Sequence, residues 1–164
     1  VMGVGDTFGE AFAKATLAAG VTLPQGGRAF LSVKDSDKHG IVGLGADLVQ
    51  LGFHLVATSG TARRLKEAGI ETEVVYKVAE GRPHVVDLLK NEQIDLIVNT
   101  TEGHQSIRDS AAIRRLALQN KVCNTTTLAG GEAFCIAIQY ARGNHDLKVR
   151  RLQDLYAGVA ADGS

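Results

Sequence analysis

The sequence predicts an α/β domain in which a mostly parallel sheet lies between helices, three layers in all. Two observations carry this reading. Short apolar runs alternate with helical patterns along the 164 residues, and three of those runs end in small polar residues just before a helix. These are Phe53-His-Leu-Val-Ala-Thr58-Ser59-Gly60-Thr61, Ile94-Asp-Leu-Ile-Val-Asn99-Thr100-Thr101 and Lys121-Val-Cys-Asn124-Thr125-Thr126-Thr127. Strands alternating with helices through tight connections pair in parallel by right-handed crossovers.

Each element has its own signal. Val1-Met-Gly-Val-Gly5 reads as strand-like, and a start without Met suggests a piece cut from a longer polypeptide. Thr7-Phe-Gly-Glu10 has the form of a capping box. Phe8, Phe12, Ala15 and Ala19 then recur at helical spacing as far as Gly20. Pro24 and Gly26-Gly27 mark residues 21–27 as a linker. Residues 28–33 read as the first strand of the main fold. Asp35-Ser-Asp-Lys38 leads into a helix striped by Ile41, Leu44, Leu48 and Leu51 and stopped by Gly52.

Residues 53–57 read as the second strand and 60–68 as a short helix closed by Gly69. Glu73-Val-Val-Tyr76 is a weaker strand, and the loop after it runs to Pro83. That proline suits the first turn of a helix reaching Lys90. Residues 94–98 form the most apolar strand. A helix over 106–119 is expected to turn Ile107, Ala111, Leu116 and Leu118 inward. Residues 121–124 are a short fifth strand, and 128–141 a largely apolar helix. Leu147-Lys-Val-Arg-Arg151 allows a further strand before a short helix at 153–156, and the last eight residues read as frayed.

Composition narrows the function classes. Lys plus Arg and Asp plus Glu number 18 each, so the overall field favours neither nucleic acid nor an anionic membrane. No apolar run approaches the roughly 20 residues that span a bilayer. Tryptophan is absent and aromatics are 5%, which argues against stacking platforms for single strands. Cys123 and Cys135 show no Cys-x-x-Cys spacing and read as buried reduced thiols in a cytoplasmic protein. The five histidines show no metal-ligand spacing, and His84 and His104 read as surface residues near loops.

The strand ends hold the candidate site. In an open parallel sheet, ligands bind beyond the carboxyl ends of the strands. Lys38 follows the first strand; Thr58, Ser59, Gly60 and Thr61 follow the second; Lys77 follows the third; Asn99, Thr100 and Thr101 follow the fourth. Two ammonium groups, several hydroxyls, helix N-termini and a glycine that admits close backbone approach together suit a phosphate. Lys77 and Thr61 are expected to serve the ligand and not the fold. Gly130-Gly131 fits either a ligand or a close helix–sheet contact.

Several segments resemble a known family. They are Val1-Met-Gly-Val-Gly-x-Thr-Phe-x-Glu-Ala-Phe-x-Lys-Ala15, Ala57-Thr-x-Gly-Thr61, Lys77-Val-x-Glu-Gly-Arg-Pro-His84, Asn99-Thr-Thr101, and Ile113-Arg-Arg115 through Leu128-x-Gly-Gly131. Together they are similar to the C-terminal, methylglyoxal-synthase-like allosteric domain of the carbamoyl-phosphate synthase large subunit. The resemblance implies a Rossmann-like sheet in the order 3-2-1-4-5. It implies that residues 1–25 are the tail of a preceding synthetic domain plus a linker helix, and 26–164 the allosteric domain. It implies a nucleoside monophosphate site, for UMP as inhibitor and IMP as competitor, at Lys38, Thr58, Thr61, Lys77, Asn99, Thr100 and Thr101. Thr126 matches a residue of the family's ornithine site, although Thr125 stands where an acidic residue can occur.

The parent implied is a cytoplasmic ligase that makes carbamoyl phosphate from glutamine or ammonia, bicarbonate and ATP for pyrimidine and arginine biosynthesis. Its cofactors would be ATP, Mg or Mn, and K, with none in this segment. Its partners would be the other domains of the large subunit and the glutaminase small subunit. The segment itself is expected to be non-catalytic. The alternative is a methylglyoxal synthase-type lyase acting on dihydroxyacetone phosphate, which needs a carboxylate base beside the phosphate. That enzyme carries Gly-Asp after its third strand, where this chain has Gly81-Arg82. A guanidinium cannot act as a base.

Overall fold

Runs such as Ala29-Phe-Leu31 and Leu96-Ile-Val98 are apolar at every position, as a strand covered on both faces requires. In the computed structural model they lie at the centre of a five-stranded parallel sheet. The structure describes residues 1–76, 81–82, 84–102, 104–143, 149–151 and 153–154, with the backbone alone for 104–109. Along the chain the elements are α1 (Phe8–Ala18), β1 (Gly27–Ser32), a 3₁₀ turn (Asp35–Asp37), α2 (Ile41–Gln50) and β2 (Phe53–Thr58). There follow α3 (Ser59–Glu67), β3 (Glu73–Val75), α4 (Val85–Lys90), β4 (Leu96–Asn99), α5 (His104–Gln119), β5 (Cys123–Thr125) and α6 (Leu128–Gly143).

The sheet order is β3-β2-β1-β4-β5, every pair parallel. Alternate residues of each strand feed opposite cores. Ala29, Leu31, Leu55, Ala57, Leu96 and Val98 pack with α2, α3 and α6 through Leu44, Leu48, Leu65, Phe134 and Ile138. Phe30, Val56, Val75 and Ile97 face the other way, onto Val85, Leu88 and Leu89 of α4 and Ile113 and Ala117 of α5. Full burial of one such side chain contributes about 1.5–3 kcal/mol. Gly131 sits where a Cβ would lie 2.7 Å from Leu44 and 3.1 Å from Val98, so it serves close helix–sheet packing. Gly130 leaves room for the Thr125 hydroxyl.

Several expectations shift. Residues 1–5 form no strand; they fold back on α1, close enough that a Cβ on Gly3 would meet the Ala11 carbonyl oxygen at 1.9 Å. The buried Glu10 holds this loop: its carboxylate accepts from the Asp6 N–H at 2.9 Å and from Lys14 Nζ at 2.6 Å, while Lys14 also donates to the Val4 carbonyl. α1 turns Gly9 and Ala13 inward and leaves Phe8 exposed, because Gly9 lets the helix close onto Ile136 and Tyr140 of α6.

In α5 the inward face is Ser110, Ile113 and Ala117, while Leu118 is 74% exposed and Ala111 is also exposed. The 3.6-residue period carries Leu118 one step past the face that Ala117 occupies. Ile107's side chain falls outside the described residues. β5 begins at Cys123 because Lys121, with φ +54°, ends the helical run before it. Pro83 also falls outside the described residues. His84 is the N-cap of α4, its ring Nδ1 accepting from the Asp87 N–H while Asp87 accepts from the His84 N–H. It is a buried cap and not a surface histidine. Val149–Arg151 carry no strand; Leu147 and Lys148 are outside the described residues.

Candidate functional site

Three strand exits converge at the carboxyl edge, and their hydroxyls tie the exits together. The Val33 N–H donates to Thr61 Oγ1 at 3.1 Å and the Lys34 N–H to Thr100 Oγ1 at 3.0 Å. The Thr100 N–H donates to the Ser32 carbonyl at 2.9 Å. The chain leaving β1 is thereby clamped between the exits of β2 and β4. Thr61 and Thr100 accept through a lone pair, and each keeps its own hydroxyl proton to donate. Thr58 Oγ1 lies 3.3 Å from Ser32 Oγ and 3.5 Å from Thr61 Oγ1. Asn99 Nδ2 donates to Ser110 Oγ at 3.0 Å, joining β4 to α5.

Above this floor opens a cavity of about 340 Å³, at the small end of ligand pockets. Lys38, Thr58, Gly60, Thr61, Asn99, Thr100 and Thr101 all line it. Ser59 does not: it is exposed, since one helical step turns it away from the side that Gly60 and Thr61 present. Lys77 lies outside the described residues. Thr126 is exposed and does not line the cavity; it stands between Thr125 and Thr127, whose hydroxyls accept from the Thr127 and Gly130 N–H groups.

Lys38 reaches over α3. A Cβ on Gly60 would stand 3.4 Å from its ammonium nitrogen. The same ammonium pairs with Asp35 Oδ1 at 2.5 Å. The residue at the N-cap of α3 is Thr58, and among the described residues no side chain caps that helix. An uncapped helix N-terminus retains N–H donors and partial positive charge. With Lys38 beside it and the hydroxyls of Thr61, Thr100 and Thr101 lining the same cavity, the arrangement can hold a phosphate-sized anion.

Sequence reasoning missed part of the lining: Ser32, Lys34, Tyr76, Ser110 and the apolar Phe30, Val85 and Ile113. Ser32 ends β1, so the strand-end rule applied to the first strand would have found it. Ser110 needed the correct phase of α5. Both thiols are buried and do not line the cavity, and burial pushes Cys123 and Cys135 up to about 12. Among the described residues no cluster of His, Cys, Asp and Glu could hold a metal, and no helix is long and apolar enough to cross a membrane.

A family model described as MGS-like domain matches residues 40–126, a stretch that runs from α2 through the cavity to β5. The chain belongs to the MGS-like domain family. It is also 56% identical over 161 residues, 98% of its length, to the carbamoyl phosphate synthase large chain of Pseudomonas putida. The carbamoyl phosphate synthase large chain of Vibrio cholerae is 49% identical over 162 residues. The chain spans 15% of the length of each of these relatives. A crystal structure of ForH resembles 71% of this chain and 80% of its own, with TM-score 0.48 and 21% identity, a distant likeness. This MGS-like domain has a doubly covered sheet of order 3-2-1-4-5, with its cavity at the carboxyl edge.

Proposed function

We propose that the chain is the regulatory domain of a carbamoyl phosphate synthase large chain, and that it binds a nucleoside monophosphate effector of the UMP or IMP type. The observation that supports this reading is the gathering of Lys38, Thr58, Gly60, Thr61, Asn99, Thr100 and Thr101 around one cavity. The phosphate sits at the uncapped N-terminus of α3, between Lys38 and the hydroxyls of Thr61, Thr100 and Thr101. Lys77 adds the second ammonium. The ribose and base occupy the remainder of the same cavity.

Binding acts by coupling. Ligand contacts at three strand exits favour one arrangement of the β1 exit, and that preference is passed to the ATP-dependent parent as a change in affinity. Such couplings are typically about 1–3 kcal/mol. The parent uses ATP with Mg or Mn and K, works with the glutaminase small subunit, and serves pyrimidine and arginine biosynthesis in the cytoplasm. An ornithine-type effector at Thr126 requires residues contributed from outside this chain.

The segment itself does no chemistry. A lyase acting on dihydroxyacetone phosphate needs a carboxylate held beside the phosphate. Of the carboxylates that line the cavity among the described residues, Glu102 is exposed and Asp35 is tied to Lys38. Arg82 stands where the lyase has an acid, with its own guanidinium 3.9 Å from Asp87. Thermal unfolding with UMP and IMP tests the effector reading. A hundredfold excess over the dissociation constant stabilises by about 2.7 kcal/mol. Absence of any shift at millimolar nucleotide overturns the proposal, and methylglyoxal formation from dihydroxyacetone phosphate reverses it in favour of the lyase.

A further inference from the structure

The cavity has two unlike ends. One is the hydroxyl and amine floor at the exits of β1, β2 and β4. The other is apolar: Phe30, Val85 and Ile113, which share one core, and the partly exposed Tyr76 also line the cavity. Among the described residues two aromatic rings line the cavity, and they differ in availability. Phe30 is 1% exposed and packed in the core with Val56, Val75 and Ile97. Tyr76 is 51% exposed. Of these two, its ring is the one with surface left for a ligand.

The position of Tyr76 is fixed by backbone pairing. Thr58 is opposite Val75 in the β2–β3 ladder, so Tyr76 stands one residue past the rung that starts the phosphate floor. It pairs in turn with His84, the capped start of α4. Gly81, with φ +144°, comes against the ring: a Cβ there would lie 3.9 Å from Tyr76 Cγ and 4.0 Å from Cδ2. That backbone conformation strongly favours glycine, and it brings the Gly81 backbone to van der Waals range of one side of the ring. An exposed aromatic is held from two sides at the lip of an anion cavity.

We infer that Tyr76 is the base-stacking and specificity-determining residue of this site, and that it favours a purine over a pyrimidine nucleoside monophosphate. The inference rests on the phosphate site proposed above. Stacking on a tyrosine grows with ring overlap, and the double ring of a purine offers more of it. Base–aromatic stacking measured by truncation spans about 5- to 150-fold in affinity, and a half-exposed ring falls at the lower end. The hydroxyl floor, by contrast, reads phosphate and sugar and is indifferent to the base.

Calorimetric titration of the 164-residue chain with inosine monophosphate, uridine monophosphate and ribose 5-phosphate tests this. The wild-type chain should bind the purine about 3- to 10-fold tighter than the pyrimidine. Tyr76→Leu, which keeps apolar bulk without a π-face, should bring that ratio near one and leave ribose 5-phosphate unchanged. Tyr76→Phe should preserve the wild-type order. Ribose 5-phosphate binding with no purine preference, or equal losses for all three ligands in Tyr76→Leu, overturns the role of Tyr76 and leaves the phosphate site standing. Failure of the wild-type chain to bind any of the three overturns both.

Discussion

The junctions β2–α3 and β5–α6 look alike in sequence and do different work. Each is a strand leading through small hydroxyl residues and a glycine into a helix: Thr58-Ser-Gly-Thr61 in one, Thr125-Thr-Thr127 followed by Gly130-Gly131 in the other. At β5–α6 the hydroxyls serve their own helix. Thr127 Oγ1 accepts from the Gly130 N–H at 3.0 Å, and Thr125 Oγ1 accepts from the Thr127 N–H. At β2–α3 nothing caps the helix; Thr58 and Thr61 reach sideways to β1 and its exit. A hydroxyl cluster before a helix is a cap or a site depending on whether its acceptors turn towards its own helix or towards a neighbouring strand.

Substitutions can break this comparison at either junction. The largest effect is expected from Thr61→Val, which keeps the shape but strands the buried Val33 N–H without its acceptor. It should destabilise by about 2 kcal/mol in urea unfolding and also weaken nucleotide binding. Lys38→Met should leave stability nearly unchanged, because its pairing with Asp35 is a surface ion pair. In calorimetric titration it should reduce nucleoside monophosphate affinity about tenfold, equivalent to about 1.4 kcal/mol.

Thr127→Ala should cost about 1 kcal/mol by loss of a cap, with nucleotide affinity unchanged. An affinity loss there equal to that of Lys38→Met would erase the distinction between the junctions. The smallest change is expected from Asp35→Asn, which frees the Lys38 ammonium from a competing carboxylate. Affinity for the nucleotide should rise by about two- to fourfold at low salt, and the gain should shrink as salt screens the pair.

The fold was legible because its signals are redundant. Runs such as Leu96-Ile-Val98 are short and apolar at every position, as doubly covered strands are, and Gly52 and Gly69 close the helices that precede the second and third strands. The site was partly legible, because the rule of carboxyl ends gathers Lys38, Thr58, Thr61 and Asn99–Thr101 without any distance information. What it lacked was direction. Ser59 and Gly60 are neighbours in sequence, but only Gly60 lines the cavity. Thr61 read as a ligand group, yet its oxygen also holds the β1 exit, a bond between residues 28 apart. The phase of α5 slipped because Leu118 is apolar and exposed, which hydropathy alone does not reveal. His84 was missed as a cap because a ring nitrogen replaces the usual hydroxyl in the box with Asp87.

The folded-back amino-terminal loop makes acid a selective solvent for this molecule. Lys14, and then the Asp6 N–H, hold the Glu10 carboxyl below its ordinary value of 4.5. The stability it lends is therefore present above the unfolded value and is lost as pH falls through the depressed one. On acidification the loop should peel from α1 while the sheet stays closed, visible as faster deuterium uptake at the Asp6 amide than at those of β1. Such a clasp gives the amino-terminal loop its own melting order, separate from that of the sheet and its carboxyl edge.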